Sequence, residues 1–147
     1  RPTADAKVVT QYEAAAEQRA NQRETYGDKG MPTPPASIMV LIDTLPEGIE
    51  AGASGIRVTP GYPFEILGRG VLKRDRQGAY GPITSEMLIN EFKFLAQEVG
   101  ATLVLMSVDE GQSQDEVEGG VAILIRADTS KIDLKKSVQK KLPFNET

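Results

Sequence analysis

The sequence predicts an α+β domain: a mixed or antiparallel sheet with one main amphipathic helix packed on it, plus helices at the N- and C-terminal ends. Three observations predict this class. An amphipathic run begins at Thr84 and is closed by Gly100. Two apolar runs, 103–108 and 120–127, follow it. A continuous apolar stretch, Ser-Ile-Met-Val-Leu-Ile-Asp over 37–43, stands behind a Pro/Gly-rich segment. Helical periodicity in the first and short apolar runs in the others are the patterns of a helix and of strands.

Taken in order, residues 4–25 read as a helix. Asp5 is placed to cap it, and Val8, Val9, Tyr12, Ala15, Ala16, Arg19 and Arg23 recur at helical spacing. Its apolar face is thin, so it can pack on the domain, pair with another subunit or stand off as a stalk. Gly27, Gly30, Pro32, Pro34 and Pro35 then break regular structure. The organisation read from this is an N-terminal helix and linker over 1–30 and a single α+β domain over 31–147. The 37–43 run is expected to be a strand buried on both faces.

Glycines and prolines punctuate 45–63, with a short alternating piece at Gly55-Ile56-Arg57-Val58-Thr59, the pattern of a hairpin. Thr59-Pro60-Gly61-Tyr62 fits a type II turn: Pro60 presets φ at the second position and Gly61 accepts positive φ at the third. A strand is expected from Phe64 to about Lys73. Its alternation puts Phe64, Ile66, Gly68 and Gly70 on one side, and the two glycines point to a bulge or a close backbone approach.

Residues 75–83 read as a loop, with Thr84 or Ser85 as the N-cap of the main helix. Leu88, Phe92, Leu95 and Val99 form its single apolar stripe, and Gly100 suits the left-handed position that ends helices. The two apolar runs that follow are expected to pair as an antiparallel hairpin around an acidic loop, 109–118. The tail 129–142 reads as a helix capped by Thr129 or Ser130, with Leu134, Val138 and Leu142 on one side and Pro143 as its stop.

At 147 residues the chain can bury one core. Aromatic residues make up 5% and Trp is absent, so Phe64, Phe92 and Phe94 are the expected large anchors among aliphatic residues. Net charge is −4 and the pI near 5.0, which argues against nucleic acid as the main partner. The small basic clusters at 69–76 and 131–141 read as solvated faces. With no Cys and no His, thiol nucleophiles, Ser-His-Asp triads, Cys-His dyads and thiolate metal sites are excluded. No run is long enough to span a bilayer as a helix. A start at Arg1 rather than Met leads to the expectation of a removed export segment or a lipid anchor upstream.

Motif chemistry is sparse, and no cofactor is expected. Gly68-Arg69-Gly70 follows a strand, but Lys73 occupies the place of the third glycine of a dinucleotide loop and no phosphate loop sequence exists. The acidic loop concentrates oxygen donors, which suit a hard cation, so Asp109, Glu110, Asp115 and Glu116 are the candidates for cation contact. Their spacing departs from the EF-hand, and a solvated hairpin tip explains the same residues. No catalytic residue is assigned; carboxylates such as Glu65, Asp109 or Glu116 are what a small hydrolase or lyase would have to use.

The junction Phe94-Leu95-Ala96-Gln97-Glu98-Val99-Gly100-Ala101-Thr102-Leu103-Val104 resembles the heavy-metal-binding-domain family of small bacterial proteins and the related core of the envelope-stress sensor lipoprotein of the Rcs phosphorelay. Gly120-Val121-Ala122 resembles the Gly-x-Ala element of the strand that follows in that family. Ile66-Leu67-Gly68-Arg69-Gly70-Val71 resembles its opening strand. The resemblance spans 64–127; the family often has Asn where Thr102 stands, and without Cys or His no metal binding follows from it. It implies a non-enzymatic binding or structural domain of a bacterial envelope or secreted protein, in the periplasm or cell envelope, with protein or self-association as the partner. The alternatives are a carboxylate-dependent hydrolase or lyase and a cytoplasmic self-assembling oligomer. Function is expected where regularity fails, in the 75–82 loop, the 109–118 loop or the N-terminal helix.

Overall fold

The structure, a computed structural model, describes residues 6–27, 30–52, 55–73, 83–111 and 116–141. Its centre is a five-stranded mixed sheet of β1 (Met39–Ile42), β5 (Glu65–Lys73), β6 (Ile83–Thr84), β7 (Leu103–Glu110) and β8 (Glu116–Arg126). The path runs β1-β7-β8-β5, with β6 also on β8; β1 and β7 are parallel and the other pairs antiparallel. β7 and β8 pair from Leu103 opposite Ile125 to Glu110 opposite Val117, so the expected hairpin forms.

Alternation along these two strands makes two apolar faces. Val104, Met106, Ala122 and Leu124 face the helices; Leu103, Leu105, Val121, Ile123 and Ile125 face the other way. The first face is covered by α2 (Ser85–Val99), with α1 (Ala6–Tyr26) against it. The second is covered by a hairpin, β3 (Ile49–Gly52) with β4 (Gly55–Val58), and by the ladder of β2 (Thr44–Leu45) with β9 (Val138–Gln139). The layers are therefore helix, sheet and small β-ribbon.

α2 forms as its sequence dictates. Thr84 is extended and its hydroxyl accepts from the Met87 N–H at 3.2 Å, a cap that stabilises by about 1 kcal/mol. Leu88, Phe92 and Leu95 are buried and Val99 packs beside them. Gly100 adopts φ 81°, ψ 20°; its N–H donates to Gln97 O at 3.3 Å, and Ala101 N–H donates to Ala96 O at 2.8 Å, closing the helix in a Schellman motif. The turn at 59–62 also forms, with Tyr62 N–H donating to Thr59 O at 3.2 Å and Gly61 at φ 94°.

Four expectations are corrected. The 37–43 run is an edge strand, paired on one side to β7 and partly open, because an apolar run looks the same at an edge and at a centre. From 129 to 141 the tail is not a helix, and Leu142 and Pro143 lie outside the described residues. It makes two 3-10 turns, Thr129–Lys131 and Leu134–Lys136, and then β9. Asp128 accepts from Ser130 N–H and Asp133 from Lys135 N–H, and these local side-chain bonds compete with a helical continuation. The acidic segment is strand at both ends, since β7 runs to Glu110 and β8 begins at Glu116, while 112–115 lie outside the described residues. In β5 the expected bulge lies between Ile66 and Gly68 and reverses the faces, so Phe64 and Ile66 pack away from the helices while Gly70 lies under Leu95 and Phe92.

Among the described residues α1 docks on α2 through small residues and the Arg19–Glu91 ion pair. Ala16 and Ala20 are buried. Arg19, 8% exposed, donates through Nε and Nη2 to Glu91, 4% exposed, at 2.9 and 2.6 Å, and its guanidinium sits 3.9 Å from the centre of the Phe94 ring. Asp5 lies outside the described residues, as do the side chains of Val8, Val9 and Tyr12.

Removing one partner of a buried pair leaves an uncompensated charge and costs about 3–5 kcal/mol, whereas replacing both by apolar residues is often neutral. Arg19→Met and Glu91→Met are each expected to lower the unfolding free energy by about 3 kcal/mol. The double variant should recover most of that loss, as read by urea denaturation. Equal additive losses would show that the pair does not specify helix docking.

Candidate functional site

Among the described residues the carboxylates singled out in the sequence are spread over β5, β7 and β8. Asp109 and Glu110 are consecutive on β7 and so face opposite sides of the sheet, Asp109 opposite Gly119 and Glu110 opposite Val117. Glu116 stands on β8 opposite Thr84, and its backbone carbonyl accepts from Gly111 N–H at 3.1 Å. Asp115 and the 75–82 loop lie outside the described residues. Glu65 accepts from Arg126 Nη1 at 2.9 Å on an exposed surface, and Arg126 Nε reaches the Gly100 carbonyl at 3.4 Å, beside the negative end of α2. Among the described residues no three acidic groups are grouped to hold a metal ion.

A cleft of about 280 Å³ opens instead on the side of the sheet away from the helices. It is lined by Glu47 from the β2–β3 turn, by Gly61, Tyr62, Pro63 and Phe64 before β5, and by Asp128, Lys131, Ile132 and Asp133 after β8. Phe64 and Ile132 also pack into the apolar cluster beneath, so the floor is continuous with the core. The rim carries three carboxylates, one ammonium and one phenol.

The wall is fixed by local geometry. Gly48 has φ 102°, and a Cβ there would come 2.5 Å from the Tyr62 ring and 2.8 Å from the Phe64 ring. These rings lie 5.7 Å apart between centroids, tilted by 50°. Only glycine lets the turn pass beneath them. On the facing wall Asp128 Oδ1 accepts from Ser130 Oγ at 2.6 Å and from its N–H at 3.1 Å, and Asp133 Oδ1 accepts from Lys135 N–H at 3.0 Å.

The electrostatics follow from these contacts. The Tyr62 phenol is held above its ordinary pKa by partial withdrawal from water, then by its interaction with Glu47, whose carboxylate accepts from the hydroxyl and repels a phenolate. Asp128 is held below its ordinary pKa, first by the Ser130 hydroxyl and then by the Ser130 N–H, against an opposing effect of burial, with Lys131 the least of the four influences. Lys136 Nζ stands 4.0 Å from Glu47, an exposed pair of small energetic weight. The cleft thus presents a phenol whose neutral form is favoured and, in Asp128, a carboxylate whose ionised form is favoured.

Comparison with family models, with curated proteins and with solved structures finds no match to this chain.

The cleft residues come from three segments separated in sequence, and only part of this was signalled there. The Thr59–Tyr62 turn was legible. An Asp two residues before Ser130 and another two before Lys135 announce side-chain caps, but nothing in their spacing announces that the two turns face Tyr62.

Two outcomes test the wall. Glu47→Gln is expected to lower the Tyr62 pKa toward its ordinary value, followed by the phenolate absorbance in an alkaline titration. Since folding favours the neutral phenol, its contribution to stability is present below the unfolded pKa and is lost as pH rises through the raised folded value. For Asp128 the sign reverses: the contribution is present above the unfolded pKa and lost as pH falls through the depressed folded value. Gly48→Ala should destabilise by about 1–3 kcal/mol in urea unfolding, through positive φ and the collision with both rings.

Proposed function

We propose that this chain is a non-enzymatic binding domain of a bacterial envelope or secreted protein, and that it holds its ligand or a partner's side chain in the Tyr62 cleft. The cleft itself carries the reading: an apolar floor of Pro63, Phe64 and Ile132 under a rim of Tyr62, Glu47, Lys131 and two capped aspartates. Pockets that bind small groups have this make-up, a hydrophobic bed with a few oriented polar atoms. Binding rather than turnover is favoured because Asp128 and Asp133 already accept bonds from their own turns. The envelope setting is supported by the resemblance of 64–127 to the family that includes the Rcs sensor lipoprotein core. No helix of the described residues is long and apolar enough to cross a membrane.

A screen of small polar molecules and short peptides against the isotope-labelled protein, followed by amide chemical shifts, tests the binding reading. Binders are expected to shift Gly61, Tyr62 and Ile132, and Tyr62→Ser or Lys131→Glu should weaken them about tenfold without changing the melting temperature, a loss of about 1.4 kcal/mol. Shifts that map elsewhere, or affinity unchanged in both variants, would remove the cleft from the proposal. Fractionation of the full-length gene product in its bacterial host tests the setting, and recovery with cytosolic markers would sink it.

A further inference from the structure

The Tyr62 cleft has one fixed wall and one lightly held wall. On the Tyr62 side the chain is buried to either side of exposed Glu47, at Leu45, Pro46, Gly48 and Ile49, and the Tyr62 and Phe64 rings close over Gly48. On the other side none of residues 128–141 is buried: Thr129, Ile132 and Ser137 are half-buried and the rest are exposed. Leu134 and Val138, its other large apolar residues, are 51% and 59% exposed. Among the described residues Ile132 alone carries this segment into the apolar cluster beneath.

Its polar attachments are as slight. The two 3-10 turns are closed by bonds within themselves, Lys131 N–H to Asp128 O, Ile132 N–H to Thr129 O, Lys136 N–H to Asp133 O and Ser137 N–H to Leu134 O. Among the described residues the segment is tied to the domain by the two register pairs of β2 with β9, by Lys140 N–H donating to Asp43 O at 2.8 Å, and by lysine ammonium groups. Lys140 Nζ reaches Ala51 O at 3.3 Å, Lys141 Nζ reaches Val108 O at 3.0 Å and stands 3.7 Å from Asp43, and Lys136 Nζ stands 4.0 Å from Glu47. These lysines are exposed, where such contacts have small weight. The attachment just before the segment is of another kind. Ala127 is clasped by Thr102, whose Oγ1 donates to the Ala127 carbonyl at 2.6 Å and accepts from its N–H at 2.9 Å, at the end of the long β7–β8 ladder.

We infer that residues 128–141 are a strap hinged at the Thr102–Ala127 clasp, and that its local opening and closing gates the Tyr62 cleft. This rests on the reading of that cleft as the binding site. Segments with few buried apolar contacts and exposed backbone bonds open at free energies well below that of global unfolding, and the covers of binding sites are drawn from them. Here the segment of that kind carries Asp128, Lys131, Ile132 and Asp133, the whole of one wall. When it swings away, Tyr62, Pro63 and Phe64 stay on the domain and the floor is open to solvent. When it closes, Ile132 seats in the same apolar cluster as Phe64. A group that touches both walls binds the closed form alone and so holds the strap shut.

The experiment is native-state amide hydrogen exchange, followed by NMR on the full chain with no ligand added. The Lys140 amide reports the strap; the amides of Thr102, which donates to Ile125 O at 2.9 Å, and of Ala127 report the domain. Lys140 is expected to exchange at least about 100-fold faster than both. Ile132→Ala should speed Lys140 at least about tenfold and leave Ala127 unchanged, a coupling along the strap that fraying of its last residues would not give. The chain has no cysteine, so Thr44→Cys with Gln139→Cys closes a single bond across a register pair and should slow Lys140 to the rate of Ala127 until the bond is reduced. Equal rates for Lys140, Thr102 and Ala127 in the unaltered chain overturn the inference, because the segment then opens only with the whole domain. So does a Lys140 rate that Ile132→Ala leaves unchanged, or one that stays fast once the bond across Thr44 and Gln139 has closed. None of these results bears on the cleft as a binding site, which falls instead when binders map elsewhere. If the bond does not form, the first two measurements decide the matter.

Discussion

Everything in this molecule answers to one constraint: the β7–β8 hairpin is apolar on both faces and must be covered on both. A sheet that is polar on one side needs a single layer against it, whereas one with Val104, Met106, Ala122 and Leu124 on one face and Leu105, Val121, Ile123 and Ile125 on the other needs two. α2 supplies the first cover with a ready-made stripe. The second is assembled from short pieces, a hairpin and a two-residue ladder. The cleft arises there. Loops and 3-10 turns fit together less completely than a helix fits a sheet, and the gap between Tyr62 and Ile132 is what they leave.

The layer of α1 obeys a different rule. Among its described side chains the buried ones are Ala16, Arg19 and Ala20, which offer little apolar area. Orientation comes from the two-pronged bond of Arg19 to Glu91 and the stacking of the same guanidinium on Phe94. An arginine suits this role, since its planar fork matches a carboxylate in one geometry. A helix that could have been a stalk is thereby held against the domain. The C-terminal segment is held in a comparable way: Lys140 N–H donates to Asp43 O at 2.8 Å, Lys140 Nζ to Ala51 O at 3.3 Å and Lys141 Nζ to Val108 O at 3.0 Å. The lysines of 131–141 are exposed, as a solvated face requires, and two of them, Lys140 and Lys141, also tie a strap across two sheets.

How much of this was legible depends on the range of the interaction. α2 was readable from cap to stop because Thr84, the stripe and Gly100 act within one turn of where they stand. The Thr59–Tyr62 turn, the hairpin partners and the bulge near Gly68 were readable for the same reason. The C-terminal helix was misread because Leu134 and Val138 keep helical spacing while Asp128 and Asp133, each bonding two residues ahead, cap the starts of two separate three-residue turns. The acidic residues were read as one loop because composition carries no register; in the sheet, Asp109 and Glu110 point apart.

Local chemistry by itself determined the α+β class, the main helix with both its ends, the antiparallel hairpin and the exclusion of thiol and imidazole chemistry. Tertiary structure alone decided that the 37–43 run is an edge, that Arg19 meets Glu91 72 positions away, and that Glu47, Tyr62 and Asp128–Asp133 share a cleft. The physical reason is the same in each case. A cap, a stripe or a turn is a relation between residues a few bonds apart and is written in their order. An edge, a buried ion pair or a cleft depends on which distant segment arrives beside it, and that is settled by the demand to cover two apolar faces at once.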